Sequence, residues 1–253
     1  MNEVIELLMN HRSIRKFTAD PIADSVVEKI VRAAQMASTS SNVQAYSVIT
    51  IKDKALREKI MHLSGKQEYI TECPVFLVWC ADLYRLGKAS EKHAEQDGSG
   101  ALSETYADST ENLLVAAIDA ALAAQNAAVA AESLGYGICY IGAVRNHIAE
   151  LSALLQLPEL VVPLFGMCIG VPAQNPLTRP RLPVEGVLHT DRYQTERVES
   201  WIDRYDEIYV RYMSERSGGK ITTPWSAQMR KRLTEPIRLH MKQFLQDKGF
   251  MKR

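Results

Sequence analysis

The first residues of the chain that could do chemistry are the seven from His11 to Phe17 (HRSIRKF), which hold three fixed positive charges, an imidazole and a hydroxyl. A guanidinium group can bind two oxygens of a phosphate at once, and a hydroxyl adds a neutral hydrogen bond, so this donor set suits a phosphate. The run equally suits the solvated, basic end of a first helix, because cations are favoured at helix C-termini. Taken alone, it does not distinguish an anion site from a helix end.

Three later stretches carry groups that could contact a ligand. The polar residues 38–42 (STSSN) could hydrogen-bond a polyol or form an ordinary loop. At the end of a short apolar strand, Gly142 and Ala143 leave room for a flat group against the backbone, although a glycine there could also serve close packing under a neighbouring strand. A proline-rich connector holds Arg179 and Arg181 two residues apart, and its stiffness would fix both guanidinium groups.

The overall composition excludes several classes of function. The chain has 253 residues, of which 46% are hydrophobic and 24% charged, and its 30 basic residues balance 30 acidic ones. This composition is typical of a soluble globular protein, and zero net charge provides no overall field to attract nucleic acid or an anionic membrane. The four cysteines are scattered and are expected to be buried thiols in a reducing compartment. Because the N-terminus is acidic where a signal peptide needs cations, the sequence predicts a cytoplasmic protein.

Periodicity predicts the elements that must position these groups, in one α+β domain. Predicted helices cover residues 2–10, 25–38 (with capping-box spacing between Ser25 and Glu28), 111–134 and 193–212, with another after the cap residue Asp53; predicted strands cover 47–52, 75–80, 137–143 and 163–170. Residues 75–80 are apolar throughout, as in a central strand. Residues 87–109 are polar and are expected to form a mobile excursion or a loose helix. Helix 111–134 is apolar on most faces and is expected to be the core spine or the seam of a dimer, while its charged residues argue against a membrane span.

The phosphate loops of common nucleotide-binding folds are absent from the sequence. It contains no G-x-G-x-x-G that opens a helix and no Walker loop, so dinucleotide and triphosphate cradles of those kinds are excluded. FMN would use all the features above: cations for its phosphate, hydroxyls for its ribityl chain, and a bare strand end under its ring. A single ligand, flavin mononucleotide, would therefore account for all of these stretches.

These stretches, in their order along the chain, resemble the nitroreductase superfamily, and within it the oxygen-insensitive NADPH nitroreductases and the NADPH-flavin oxidoreductases. The segments that carry the resemblance are HRSIR (11–15), the polar run 38–42, Gln67, YIGAVRN (140–146) and RPRLP (179–183). The resemblance implies a single FMN-binding domain over residues 1–253, an α+β fold with a central antiparallel sheet flanked by helices, and an intertwined homodimer with FMN at the subunit interfaces. Two departures from the family pattern are Ala143, where a second glycine is frequent, and Arg179, where lysine is frequent.

The resemblance also implies a role for each site residue. His11, Ser13, Arg179 and Arg181 would bind the FMN phosphate, Arg12 would lie along the ribityl chain, and Arg15 would face the N1/O2 edge of the ring. Thr39, Ser40 and Ser41 would come from the partner subunit, Gln67 and Tyr69 would meet the polar edge of the ring, and Tyr140, Ile141, Gly142 and Ala143 would line its face. Arg216 and Lys220 would bind the 2′-phosphate of NADPH, or belong to a mobile basic loop without a ligand. No metal is expected, and no catalytic side chain is expected beyond the flavin.

The implied activity is two-electron, ping-pong transfer from NADPH through FMN to nitroaromatics, quinones or similar small molecules. The nearest alternative is an NADPH-dependent flavin reductase that supplies free reduced FMN. Two alternatives belong to other classes, namely a flavin-binding sensor without turnover and a basic module that grips a phosphorylated partner. The colour of the purified protein and its oxidation of NADPH distinguish these alternatives.

Overall fold

A computed structural model of the protein describes residues 2–97 and 105–253. Its helices are α1 (Glu3–Met9), α2 (Asp24–Gln35), α3 (Lys54–Leu63), α4 (Tyr69–Glu72), α5 (Tyr84–Asp97), α6 (Thr110–Ser133), α7 (Ile148–Leu154), α8 (Val198–Ser217), α9 (Trp225–Thr234) and α10 (Met241–Asp247). Its strands are β1 (Tyr46–Thr50), β2 (Val75–Asp82), β3 (Gly137–Ile141) and β4 (Val161–Gly170). The chain divides into two compact units, residues 1–175 with 240–253, and residues 176–239.

The four strands of the first unit form an antiparallel sheet in the order β1-β2-β4-β3. Every residue of β2 is buried, because successive side chains point to opposite faces and helices cover both. Leu77 and Trp79 pack with α2 and the alanines of α6, whereas Phe76 and Val78 pack with residues of α3 and α7. The predicted central strand and the predicted α+β fold with an antiparallel sheet are therefore confirmed.

Helix α6 is the spine of the first unit. Its alanines, among them Ala120, Ala124 and Ala127, are fully buried against the sheet and α2, because small side chains let the helix approach closely. The opposite face exposes Leu114, Ile118 and Leu122, of which 53%, 56% and 46% of the surface is accessible. In the part of the chain that the structure describes, α6 is also the one helix long and apolar enough to cross a membrane, a test that buried core helices pass as well.

Two predicted helix starts have different outcomes. Asp53 caps α3 as predicted, since its Oδ1 accepts a hydrogen bond from the backbone N–H of Leu56 at 2.7 Å. The predicted cap at Ser25 is wrong, because α2 already begins at Asp24 and its N-cap, Ala23, makes no side-chain bond. An extended residue before the first helical turn suffices here without a capping side chain.

The polar stretch 87–109 is helical in its first part, because α5 continues to Asp97. Residues 98–104 lie outside the described residues, so the predicted mobile excursion stays a prediction there. All four cysteines are buried, as predicted.

The second unit, residues 176–239, is centred on the packing of α8 with α9. Tyr205, Tyr209 and Met213 form its small core, and the rings of Tyr205 and Trp225 meet edge to face with centroids 5.5 Å apart. The aromatic residues of this helix therefore form a packing face. The helix begins at Val198, after a 3₁₀ turn over Thr195–Arg197, and so starts later than predicted.

Candidate cofactor site

The basic run 11–17 is extended backbone at the edge of the sheet. Helix α1 ends at Met9, and the backbone N–H of Ile14 donates to the carbonyl of Ile138 in β3 at 2.8 Å. Gly137 permits this close approach, because a Cβ at that position would lie 2.8 Å from the Cβ of Ile14. The interpretation of the run as a helix end is therefore wrong.

Successive side chains of this extended run point to opposite faces. Ile14 is buried, so the neighbouring residues Ser13 and Arg15 turn to the opposite face. The end of the run is also fixed by main-chain bonds, since the N–H of Thr18 donates to the carbonyl of Val171 at 3.0 Å. The sheet thus presents a hydroxyl and a guanidinium side by side, two of the donors predicted to bind the cofactor.

His11 is paired with a carboxylate from α6. Its Nδ1 lies 2.6 Å from Oε1 of Glu132, and the accessible fractions of the two side chains are 28% and 11%. Arg12, the next residue, donates from Nη1 to Oδ1 of Asn175. The ring of His11 is consequently held through one nitrogen, which leaves Nε2 as the nitrogen that could meet a ligand.

Arg15, Tyr69 and Gln67 form a chain of polar contacts, which we call the ring-edge cluster. The hydroxyl of Tyr69 donates to Oε1 of Gln67 at 2.6 Å, and the guanidinium group of Arg15 lies beside Tyr69. Burial raises the pKa of the Tyr69 hydroxyl, and the charge of Arg15 offsets part of that rise. The three residues predicted to meet the polar edge of the ring thus lie together, with the arginine as their one fixed charge.

Tyr140 is the one aromatic residue of β3. It packs edge to face on Phe165, with ring centroids 5.5 Å apart. Burial raises the pKa of its hydroxyl, and the nearby carboxylate of Glu132 adds to the rise, so the phenol stays protonated and can donate a hydrogen bond.

Strand β3 ends at Ile141 and passes into a 3₁₀ turn over Gly142–Arg145. Ile141 and Ala143 are buried, while Gly142 is partly accessible. A Cβ placed on Gly142 would meet only the tip of Arg145, at 3.5 Å, which is an ordinary contact. Nothing in the described part of the chain therefore requires a glycine at this position. Open space above a bare backbone is what a flat ligand needs.

The loop that carries Thr39, Ser40 and Ser41 is fixed by a buried carboxylate of α6. Asp119 has no accessible surface, and it accepts hydrogen bonds from the backbone N–H of Ser40 (3.0 Å) and of Ala45 (3.1 Å). The positive φ angles in this loop belong to Ser41 (46°), Asn42 (58°) and Gln44 (53°). Residues other than glycine rarely adopt that conformation, so this loop stores strain that the rest of the unit must hold.

In the second unit, the connector with Arg179 and Arg181 is attached to α8. The hydroxyl of Tyr205 donates to the carbonyl of Pro180 at 2.9 Å, and Nη1 of Arg181 donates to the carbonyl of Arg179 at 2.8 Å. Both arginines are exposed. Burial raises the pKa of the Tyr205 hydroxyl, and the positive charges of Arg181 and Arg179 offset part of that rise. Their predicted binding of the FMN phosphate stays a prediction.

The residues predicted to bind NADPH flank the end of α8. This helix ends at Ser217, and Gly218 and Gly219 follow with φ angles of 62° and 83°, which glycine adopts without strain. Arg216 and Lys220 on either side are exposed. Their role in binding the 2′-phosphate also stays a prediction.

Comparison with known proteins decides the family. The model of the nitroreductase family matches residues 8–171, and that of the nitroreductase family C-terminal domain matches residues 179–253. The chain belongs to the nitroreductase family. It is 45% identical to a Cr(VI) reductase of a Pseudomonas species (98% of each chain) and 40% identical to an FMN reductase (NADPH) of Bacillus subtilis (100% of each chain). A solved structure, NfrA1 of B. megaterium, superposes with a TM-score of 0.93 at 43% identity over 99% of this chain and 100% of that one.

Two site residues of this nitroreductase chain were missed in the sequence. Asp119 and Glu132 stand out there only as charged interruptions of the alanine-rich helix, whereas in the structure they hold the loop 39–45 and the ring of His11. The signal that could have found them is their position among small apolar residues, because a buried carboxylate needs a partner.

Proposed function

We propose that the residues of the first unit described above form the FMN site of an NADPH-dependent oxidoreductase that reduces nitroaromatics, quinones or similar acceptors by two-electron ping-pong transfer. The chain's family is that of flavin-dependent nitroreductases, and relatives of its full length are named NADPH-dependent oxidoreductase, FMN reductase (NADPH) and Cr(VI) reductase. The observation that carries the proposal is the ring-edge cluster beside the bare end of β3.

The donors of the first unit fit FMN by their chemistry. A phosphate needs N–H and hydroxyl donors, which His11 and Ser13 can provide; the ring needs a flat, open backbone, which Gly142 provides. Arg15 would hold a fixed positive charge beside the polar edge of a bound ring, where it would favour the negative charge that reduction adds. The phosphate, the ring face and the polar ring edge of FMN would thus each have a partner residue in this unit.

Bound FMN would supply the redox chemistry, taking two electrons as hydride from NADPH and passing them to the acceptor. The protein residues bind and orient. Arg15 holds its charge at the ring edge, Tyr69 keeps its proton because burial raises its pKa, and Gln67 fixes the direction of the Tyr69 hydroxyl. No protein nucleophile is needed for this reaction.

A visible absorption spectrum of the purified protein tests the function. We expect flavin bands that bleach on anaerobic addition of NADPH and return when nitrofurazone or a quinone is added. Colourless protein that does not take up FMN would contradict the proposal. A yellow protein that leaves NADPH unoxidised with every acceptor would instead support the sensor.

Free flavin is a second candidate acceptor, because one full-length relative is named FMN reductase (NADPH). An open space over a bound ring suits both free FMN and nitroaromatics, and so the site alone does not rank them. Steady-state rates with free FMN, nitrofurazone and a quinone at equal concentrations distinguish the two. A kcat/KM for free FMN well above those for the other acceptors would favour the flavin reductase.

Replacement of Arg15 tests the ring-edge cluster directly. Arg15→Ala is expected to retain FMN but to lower the reduction potential of the bound FMN. Reduction of FMN by NADPH should slow about a hundredfold, because the variant lacks the positive charge beside the atoms where negative charge develops. Stopped-flow reduction and a spectroelectrochemical titration measure both effects. Arg15→Lys, which keeps the charge, should lie much closer to the wild type, and an unchanged potential in Arg15→Ala would contradict the assigned role.

A homodimer is the assembly that the exposed faces of two helices support. Val4, Ile5 and Leu8 of α1 and Leu114, Ile118 and Leu122 of α6 all expose about half of their surface, and α1 packs beside α6. Such neighbouring apolar residues are typical of a surface that another subunit covers. In such a dimer, the loop 39–41 of each chain would complete the site of its partner.

The cysteines bear on where the protein resides in the cell. The four buried thiols favour a cytoplasmic location.

A further inference from the structure

Glu132 is an unusual residue for its place in the helix. It lies in the last turn of α6, where the exposed carbonyl groups give a partial negative charge that favours lysine, arginine or histidine over a carboxylate. Its side chain is also mostly buried, with 11% accessible. A carboxylate that is disfavoured by both the helix dipole and burial needs a compensating partner.

That partner is the ring of His11. The distance of 2.6 Å between Nδ1 and Oε1 is short enough for a charge-assisted hydrogen bond, in which Nδ1–H donates to the carboxylate. The residues are 121 positions apart, so the contact depends on the docking of the extended run against the end of α6. A carboxylate at Nδ1 fixes both the tautomer and the direction of a histidine ring.

The charged and titratable groups around this pair include members of the extended run and of β3, and Tyr136 lines the same small cavity as Glu132 and Arg12. On the extended run, Arg12 is directed to Asn175 and Arg15 to Tyr69; on β3, Tyr140 is protonated. The carboxylate of Glu132 therefore pairs with the ring of His11 rather than with a guanidinium group.

We infer that Glu132 is a positioning residue for FMN binding, acting only through His11. It holds the ring through Nδ1–H so that Nε2 faces the phosphate, and a ring that donates to both anions carries a proton on each nitrogen. Without the carboxylate, the ring could rotate, and Nε2 would no longer be directed to the phosphate. This inference rests on the proposed function, because it takes the phosphate-binding role of His11 from it.

A comparison of FMN with riboflavin, which lacks the phosphate, tests the inference in the apoprotein. Glu132→Gln is expected to weaken FMN binding about tenfold, within the coupling range for members of one hydrogen-bond network. Riboflavin affinity should stay within twofold of the wild type. A residue that merely supported the end of α6 would change both affinities equally, and that result would overturn the inference.

A double-mutant cycle isolates the action through His11. In a His11→Gln background, Glu132→Gln should change FMN affinity less than twofold, because the ring that it positions is gone. A full tenfold loss in that background would contradict the inference. Glu111→Gln, at the other end of the same helix, is the control for loss of one charge and should leave FMN affinity unchanged.

Nitrogen NMR of the wild-type protein labelled at histidine measures the protonation of both ring nitrogens of His11 directly. The variant His11→Gln is used only to assign the His11 signal, by its loss. With FMN bound, we expect both ring nitrogens of His11 to be protonated. An Nε2 that carries no proton would overturn the inference while leaving FMN binding intact. Failure of the wild type to bind FMN at all would instead remove the proposed function together with it.

Discussion

The variant Ile118→Glu/Leu122→Glu is expected to be a monomer that retains no FMN. Both residues lie on the exposed face of α6, with 56% and 46% of their surface accessible. In a twofold dimer each substitution occurs twice, so four carboxylates would be forced into an apolar interface, and a buried charge without a partner is strongly destabilising. If the loop 39–41 of the partner completes the site, the monomer also loses cofactor contacts.

Light scattering coupled to size-exclusion chromatography, with absorbance recorded at the flavin bands, measures both outcomes together. Exposed positions are needed because most alanines of α6 are buried, and glutamate there would unfold the first unit before it tested the dimer. Leu233→Glu is the matched control, since this leucine of α9 is 85% exposed and lies away from α1 and α6 in the sequence. A yellow dimer of Ile118→Glu/Leu122→Glu would show that α6 serves only as a core spine.

Removal of the buried carboxylate of Asp119 is expected to cause a large loss of stability. Asp119→Ala leaves the backbone N–H groups of Ser40 and Ala45 without their acceptor. Ala45 is fully buried, so its unpaired N–H costs about 1–3 kcal/mol, whereas Ser40 is exposed and water can take the place of the lost acceptor. A loss of this size is a substantial part of the stability of an ordinary domain. The strained residues of the loop would then relax.

Urea unfolding of the apoprotein and FMN titration measure the two consequences of this substitution. Asp119→Asn should be intermediate, because the amide keeps one acceptor oxygen but turns an NH₂ group toward the second N–H. Asp24→Ala is the control, since Asp24 forms an exposed ion pair with Lys52 at 2.7 Å and such pairs contribute little. A midpoint for Asp119→Ala equal to that of Asp24→Ala would contradict the proposed support of the loop.

The parts of the fold that follow from local pattern were predictable. The apolar run of β2, the alanine periodicity of α6 and the cap at Asp53 each express a rule that acts within a few residues. The family resemblance added the antiparallel sheet and the grouping of Arg15 with Gln67 and Tyr69, which lie far from Arg15 in the sequence and close to it in the structure.

The parts that depend on distant partners were not predictable from pattern. The run 11–17 has the composition of a helix end, and only its pairing with Ile138, made possible by Gly137, turns it into extended backbone. Asp119 and Glu132 have the pattern of solubilising interruptions because their partners lie 79 and 121 positions away. Local propensity contains no information about such contacts.

The extended run is attached to the sheet by backbone atoms, whereas its side chains form part of the candidate cofactor site. Its bonds from Ile14 and Thr18 use backbone atoms, which every substitution except proline preserves, while the side chains of Ser13 and Arg15 project from the same backbone and take no part in those bonds. Substitutions at these two positions can therefore change cofactor affinity and redox tuning while the fold survives. A saturation library at 13 and 15 should yield mostly folded proteins that span a range of flavin potentials, which makes this edge of the sheet a natural starting point for directed evolution.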